Sequence, residues 1–139
     1  MNARTDAVIR EATGCGFRGS PINAVAADAI VSGHADGPVV LANSLRATHQ
    51  MRDAQVASLE ERFRVVRYDT CGHGGFPVPD RPYSIDDLAD DLIALLDRFG
   101  VGQAHLVGLS LGGMTCGSRP AIRADRPARR TFCTSARAP

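Results

Sequence analysis

Gly108-Leu109-Ser110-Leu111-Gly112 carries the strongest chemical signal in this 139-residue chain. A serine with glycine two places before and two places after it has the form G-x-S-x-G. The apolar run Ala104–Leu109 leads directly into it, and small residues follow. In that setting the serine occupies a strained turn between a strand and a helix, so its hydroxyl projects above the sheet edge. The flanking glycines are expected because neighbouring backbone passes close to such a turn. The chemistry implied is acyl transfer: Ser110 attacks a carbonyl, and the Leu111 N–H at the helix start receives the negative charge that develops. A second donor is expected from the loop Asn43-Ser44-Leu45-Arg46, which follows an earlier apolar strand. A dinucleotide-binding loop also places glycines after a strand. Here, however, Ser110 stands where G-x-G-x-x-G needs its second glycine, and no suitably placed acid follows, so that reading is rejected.

Other reactive residue types do not assemble by spacing. His73 lies in the glycine-rich loop Gly72-His73-Gly74-Gly75, where a structural turn outweighs a role as substitute base. His105 sits inside a strand pattern and is expected to be packed. Asp69, which ends a strand, is expected to orient its loop by hydrogen bonding. Cys15, Cys71, Cys116 and Cys133 are irregularly spaced with no C-x-x-C pair, so no zinc or redox motif is read. Free thiols in a reducing cytoplasm are the expectation, with no signal peptide visible in residues 1–20.

These residues need elements to position them. Strands are expected at Val25–Val31, Pro38–Ala42, Arg64–Tyr68 and Ala104–Leu109, alternating with helices over Thr48–Phe63 and Ser84–Phe99. The second helix is the clearest. Ser84 caps it, Asp86 and Asp87 sit in its first turn, and Gly100 stops it. Leu88, Leu92, Leu95, Leu96 and Phe99 form its apolar face, with Asp90, Asp91 and Asp97 towards water. Such alternation predicts an α/β fold with a mostly parallel sheet. Residues 1–24 read as a poorly specified leader. Residues 116–139 hold six arginines, five alanines and three prolines, and no helical or strand pattern is assigned there. All sixteen basic residues are arginine, balanced by fifteen acids to a net charge of +1, which argues against a nucleic-acid binder. No apolar run reaches the roughly 18 residues of a membrane-spanning helix.

Five segments occur in a telling order: Asn43-Ser44-Leu45, Met51-x-Asp53-x-Gln55, Arg67-Tyr68-Asp69-Thr70-x-Gly72-His73-Gly74, Pro82-Tyr83-Ser84-Ile85 and Gly108–Met114. Together they resemble the N-terminal half of the α/β-hydrolase family of 3-oxoadipate enol-lactonases, from about Gly37 to Thr115. The resemblance implies an α/β-hydrolase fold truncated after the nucleophile turn. It implies hydrolysis of a small enol-lactone in aromatic catabolism, without cofactor or metal. It also implies Ser110 as nucleophile, with the Leu45 and Leu111 amides as oxyanion hole. Arg46 stands where these enzymes have Gly, Arg52 where they have Trp, Cys71 where they have Arg, and Phe76 where they have Ser.

The fold orders its triad as Ser, then Asp or Glu, then His. Here His34, His49, His73 and His105 all precede Ser110, and Asp125 is the acid that follows it. No triad acid or His is therefore assigned in the chain, and little turnover is expected of it alone. The chain divides into residues 1–24, a half-domain over 25–115, and a tail over 116–139. The tail has the composition that a GC-rich gene gives in a shifted reading frame. A small lactone or ester is the expected partner, together with self-association through exposed sheet.

Overall fold

In the computed structural model the described residues are 7–10, 28–33, 37–74, 78, 82–118 and 130–134. They form a six-stranded sheet: β1 (Ala7–Arg10), β2 (Asp28–Gly33), β3 (Val39–Ala42), β4 (Arg64–Tyr68), β5 (His105–Leu109) and β6 (Arg130–Thr134). The strand order is β1-β2-β4-β3-β5-β6. The pairs β1·β2 and β2·β4 are antiparallel, while β4·β3, β3·β5 and β5·β6 are parallel.

The strand patterns follow from what each strand faces. All four residues of β3 are buried, as a central parallel strand covered on both faces requires. Val40, Val66 and Leu106 are buried in a core with Leu88, Leu92, Leu95 and Leu96 of helix α2 (Ile85–Arg98) and Cys116 of α3 (Leu111–Ser118). Val39, Leu41 and Val65 point the other way and pack with Val56 of α1 (Asp53–Glu60), joined by Leu59, Phe63 and Val107. The alternation along each strand thus serves two layers.

Helix α2 is determined locally at both ends. Ser84 Oγ accepts from the Asp87 N–H at 3.2 Å, and the Asp87 carboxylate accepts from the Ser84 N–H at 2.7 Å, a reciprocal capping box. At its other end Gly100 has φ +63°, and the Val101 N–H reaches back to the Leu96 carbonyl at 2.8 Å. This is the left-handed stop that glycine accepts without a Cβ penalty. Asp97 faces solvent as expected, whereas Asp90 and Asp91 are half-buried.

Three expectations need correction. The helix over Thr48–Phe63 is shorter than its spacing suggests: a 3-10 turn over His49–Arg52 precedes α1, which ends at Glu60. The segment before residue 24 contains a strand, β1; the strand expected at Val25–Val31 is found from Asp28, and residues 25–27 lie outside the described residues. Within 116–139, Cys116–Ser118 continue α3, and Arg130–Thr134 form β6 in parallel register with β5, Cys133 beside Gly108. Both strands are short and take their order from a partner strand, an influence that local periodicity does not carry. His34, Phe76, Asp125 and Cys15 lie outside the described residues.

Candidate active site

The strand order reverses at β3, with β4 on one side and β5 on the other. In open α/β sheets the crevice outside the carboxyl ends at such a point is where ligands bind. Ala42 at the end of β3 lies in register beside Gly108 near the end of β5. The segments leaving these strands, Asn43–Thr48 and Ser110–Met114, therefore start side by side. The expected oxyanion loop and the expected nucleophile meet there.

Ser110 has φ +52°, a left-handed conformation that is strained for a residue with a Cβ, and its side chain is exposed. It follows β5 directly and precedes Leu111, the first residue of α3. The first N–H groups of a helix have no intrahelical acceptor, so the Leu111 amide is open to a ligand oxygen. Leu111 itself packs against the core of the α2 face. The two motif glycines are dictated by backbone proximity. A Cβ on Gly112 would fall 2.5 Å from the Ala42 carbonyl oxygen, and one on Gly108 would fall 2.5 Å from the Gly113 nitrogen. Real Cβ atoms do not approach so closely, so the turn is packed tightly against the end of β3. Thr115 secures the next turn of α3, its hydroxyl donating to the Leu111 carbonyl at 2.9 Å.

The loop after β3 is a tight turn. The Ala47 N–H donates to the Ser44 carbonyl at 3.2 Å, with Leu45 and Arg46 between. Arg46 has φ +62°, while Leu45 is not among the residues of positive φ; this is the pattern of a type II turn, whose third position favours glycine. Arg46 thus adopts the backbone of the Gly expected by resemblance. The Leu45 side chain is 60% exposed, directed away from the core.

Both ends of this loop are tied to the end of β4 and the residue that follows it. The buried Asn43 donates from Nδ2 to the Tyr68 carbonyl at 2.7 Å. At the other end, Asp69 Oδ1 accepts from the His49 backbone N–H at 2.6 Å and lies 3.1 Å from His49 Nδ1. Asp69 is buried, and a Cβ on Gly74 would fall 2.7 Å from its Cγ, so its carboxyl group is wedged between two loops. That matches the orienting role expected of Asp69. The role of His49 was not legible in sequence, because twenty residues separate it from its partner and no motif links them. Arg52 is buried and donates from Nη2 to the Ala42 carbonyl at 2.8 Å. Its Nε is buried without a hydrogen bond, as is Asn43 Oδ1. Burial pushes the Arg52 guanidinium below its usual range, opposed by the nearby Cys116. Tyr68, fully enclosed, is pushed up by burial first, then by Cys116 and Asp91.

The remaining candidates fall elsewhere or into structural roles. His73 Nδ1 lies 3.0 Å from the Cys71 carbonyl, within its own loop. His105 packs edge-on against Phe63, ring centroids 6.2 Å apart, at the amino end of β5. An open cleft of about 260 Å³ lies at that same end, lined by Gly37, Pro38, Gln103, Ala104 and His105, away from Ser110. Cys71 corrects the expectation of free thiols: it is disulfide-bonded, whereas Cys116 is a buried thiol outside any disulfide. Among the described residues no three metal-ligating side chains gather, and no helix is long and apolar enough to cross a membrane.

An open sheet with its strand order reversing at β3, and a strained serine at the adjacent strand's carboxyl end, define a hydrolase architecture. The sequence profile of the alpha/beta hydrolase fold matches residues 37–120, and the chain belongs to that family. Over 84 residues it is 43% identical to 3-oxoadipate enol-lactonase 2 of Acinetobacter baylyi, covering 60% of this chain and 32% of that protein. In three dimensions it resembles the enol-lactonase from Burkholderia xenovorans LB400, with TM-score 0.71 and 39% identity over 78% of this chain and 43% of that one. A hydrolase from Pseudomonas aeruginosa PA01 matches at TM-score 0.66 and 33% identity, over 94% of this chain and 45% of the other. The chain spans about a third of the length of the curated relatives it matches.

Proposed function

We propose that this chain carries the nucleophile and oxyanion hole of a serine hydrolase acting on small lactones or esters. The enol-lactone of 3-oxoadipate is the first substrate to test, in line with the enol-lactonases it resembles. The observation that supports this most is Ser110 itself: φ +52° at the end of β5, between two glycines that leave no room for a Cβ. In the proposed reaction Ser110 Oγ bonds to the carbonyl carbon while its proton passes to a general base. The carbonyl oxygen, now negative, accepts from the Leu45 and Leu111 N–H groups. Collapse breaks the ring C–O bond, the leaving oxygen takes the proton, and water then releases the acyl group and restores the serine. By resemblance, the acid and base follow Ser110 in the whole fold.

A second reading is a nucleophile-bearing half without turnover. It is favoured by the commitment of His49 Nδ1 to Asp69 and of His73 Nδ1 to the Cys71 carbonyl. Hydrolysis of the enol-lactone and of a simple phenyl ester, compared between the chain and Ser110→Ala, separates the outcomes. The first reading expects hydrolysis that Ser110→Ala abolishes. Hydrolysis that survives the substitution overturns it, and none from either protein favours the second.

A further inference from the structure

We infer that Arg46 determines specificity, engaging a carboxylate carried by the substrate while Ser110 attacks its carbonyl. This rests on the hydrolase reading above. Arg46 directly follows Leu45, whose N–H is assigned to the oxyanion, and adjacent Cα atoms lie about 3.8 Å apart. A group held by Leu45 is therefore within reach of the long Arg46 side chain. Arg46 and Ser110 are the two non-glycine residues of positive φ among the described residues, and both stand at the carboxyl edge beside the switch point. The turn thus fixes the direction in which Arg46 leaves the backbone, where most L-residues would relax to another conformation.

The charge is available. Arg46 is exposed, and no ion pair or hydrogen bond involves its side chain among the described residues. Arg67, by contrast, pairs with Asp53, and Arg52 is buried against the Ala42 carbonyl. Asp69, the acid that follows β4, makes no ion pair with Arg46: it is buried and its Oδ1 is taken by His49. The adjacent side chain, Leu45, is apolar and 60% exposed. A guanidinium with no partner among the described residues recognises a planar oxyanion through its paired donors. The ligand class is a short apolar chain with a carboxylate at one end and the reacting carbonyl near the other.

Adipate, a dianion of that shape, is the probe. Its binding to the full chain is measured by titration calorimetry at low ionic strength, alongside Arg46→Gly, Arg46→Met and Arg46→Lys, with dimethyl adipate as neutral control. Arg46→Gly relaxes the turn and so keeps the fold. The expected result is that Arg46→Gly and Arg46→Met weaken adipate binding about tenfold. Arg46→Lys keeps part of the affinity, and the diester is unaffected. Equal adipate binding by the chain and Arg46→Gly, or none by either, overturns the inference. Repeating the titration in Ser110→Ala keeps it separate from the hydrolase reading. Arg46-dependent binding without Ser110-dependent hydrolysis sinks that reading alone, and Ser110-dependent hydrolysis with unchanged binding sinks this one alone.

Discussion

Gly112 sits against the Ala42 and Asn43 carbonyls, and that contact fixes how the serine turn rests on the end of β3. A methyl group there must displace backbone, not a flexible side chain. Gly112→Ala is therefore expected to destabilise the fold by about 1–3 kcal/mol. Gly117, in the same helix, has nothing within 4 Å of an added methyl, and Gly117→Ala is expected to be neutral or stabilising by up to about 1 kcal/mol. Urea unfolding of the two variants checks the contrast, and equal effects would contradict the close-packing account. At this scale much was legible. Gly108, Ser110 and Gly112 were marked by the motif and its preceding strand, and the departure at Arg46 was visible as an arginine in a glycine's place. What could not be read was the φ of +62° that Arg46 accepts, or the reach of His49 to Asp69, since both depend on chain segments meeting after folding.

Helix α2 shows why some elements announce themselves. Ser84 and Asp87 form its cap, Gly100 ends it, and Leu88, Leu92, Leu95 and Leu96 are buried on one stripe. Every determinant is within a few residues of its target. Ser84→Ala removes one side of the capping box and is expected to cost about 1 kcal/mol, read as a lowered midpoint in thermal unfolding. No change in midpoint would mean that packing against the sheet, not the cap, holds that end. Helix α1 lacks such signals: Val56 is its one buried residue, and the 3-10 turn before it takes up positions that spacing assigned to the helix. Strands β1 and β6 are four and five residues long, and each is defined by the partner it pairs with. Sequence periodicity carries no information about a partner strand that is distant along the chain.

Across the molecule, β3 organises both the fold and the site. Its residues face α1 on one side and α2 with α3 on the other, and its carboxyl end leads into the turn holding Leu45. The α/β order was readable from alternating patterns, yet the reversal of strand order that opens a crevice beside Ser110 appears only once the strands are arranged. Asn43, Arg52 and Asp69 then hold that edge together through Tyr68, Ala42 and His49. The central claim is that this arrangement makes Ser110 a nucleophile. Intact-mass spectrometry of the folded chain after treatment with a fluorophosphonate, beside Ser110→Ala, tests it most directly. The account predicts one phosphonyl adduct, mapped to Ser110 and absent from Ser110→Ala. A folded chain that stays unlabelled, or an adduct that persists in Ser110→Ala, would contradict it.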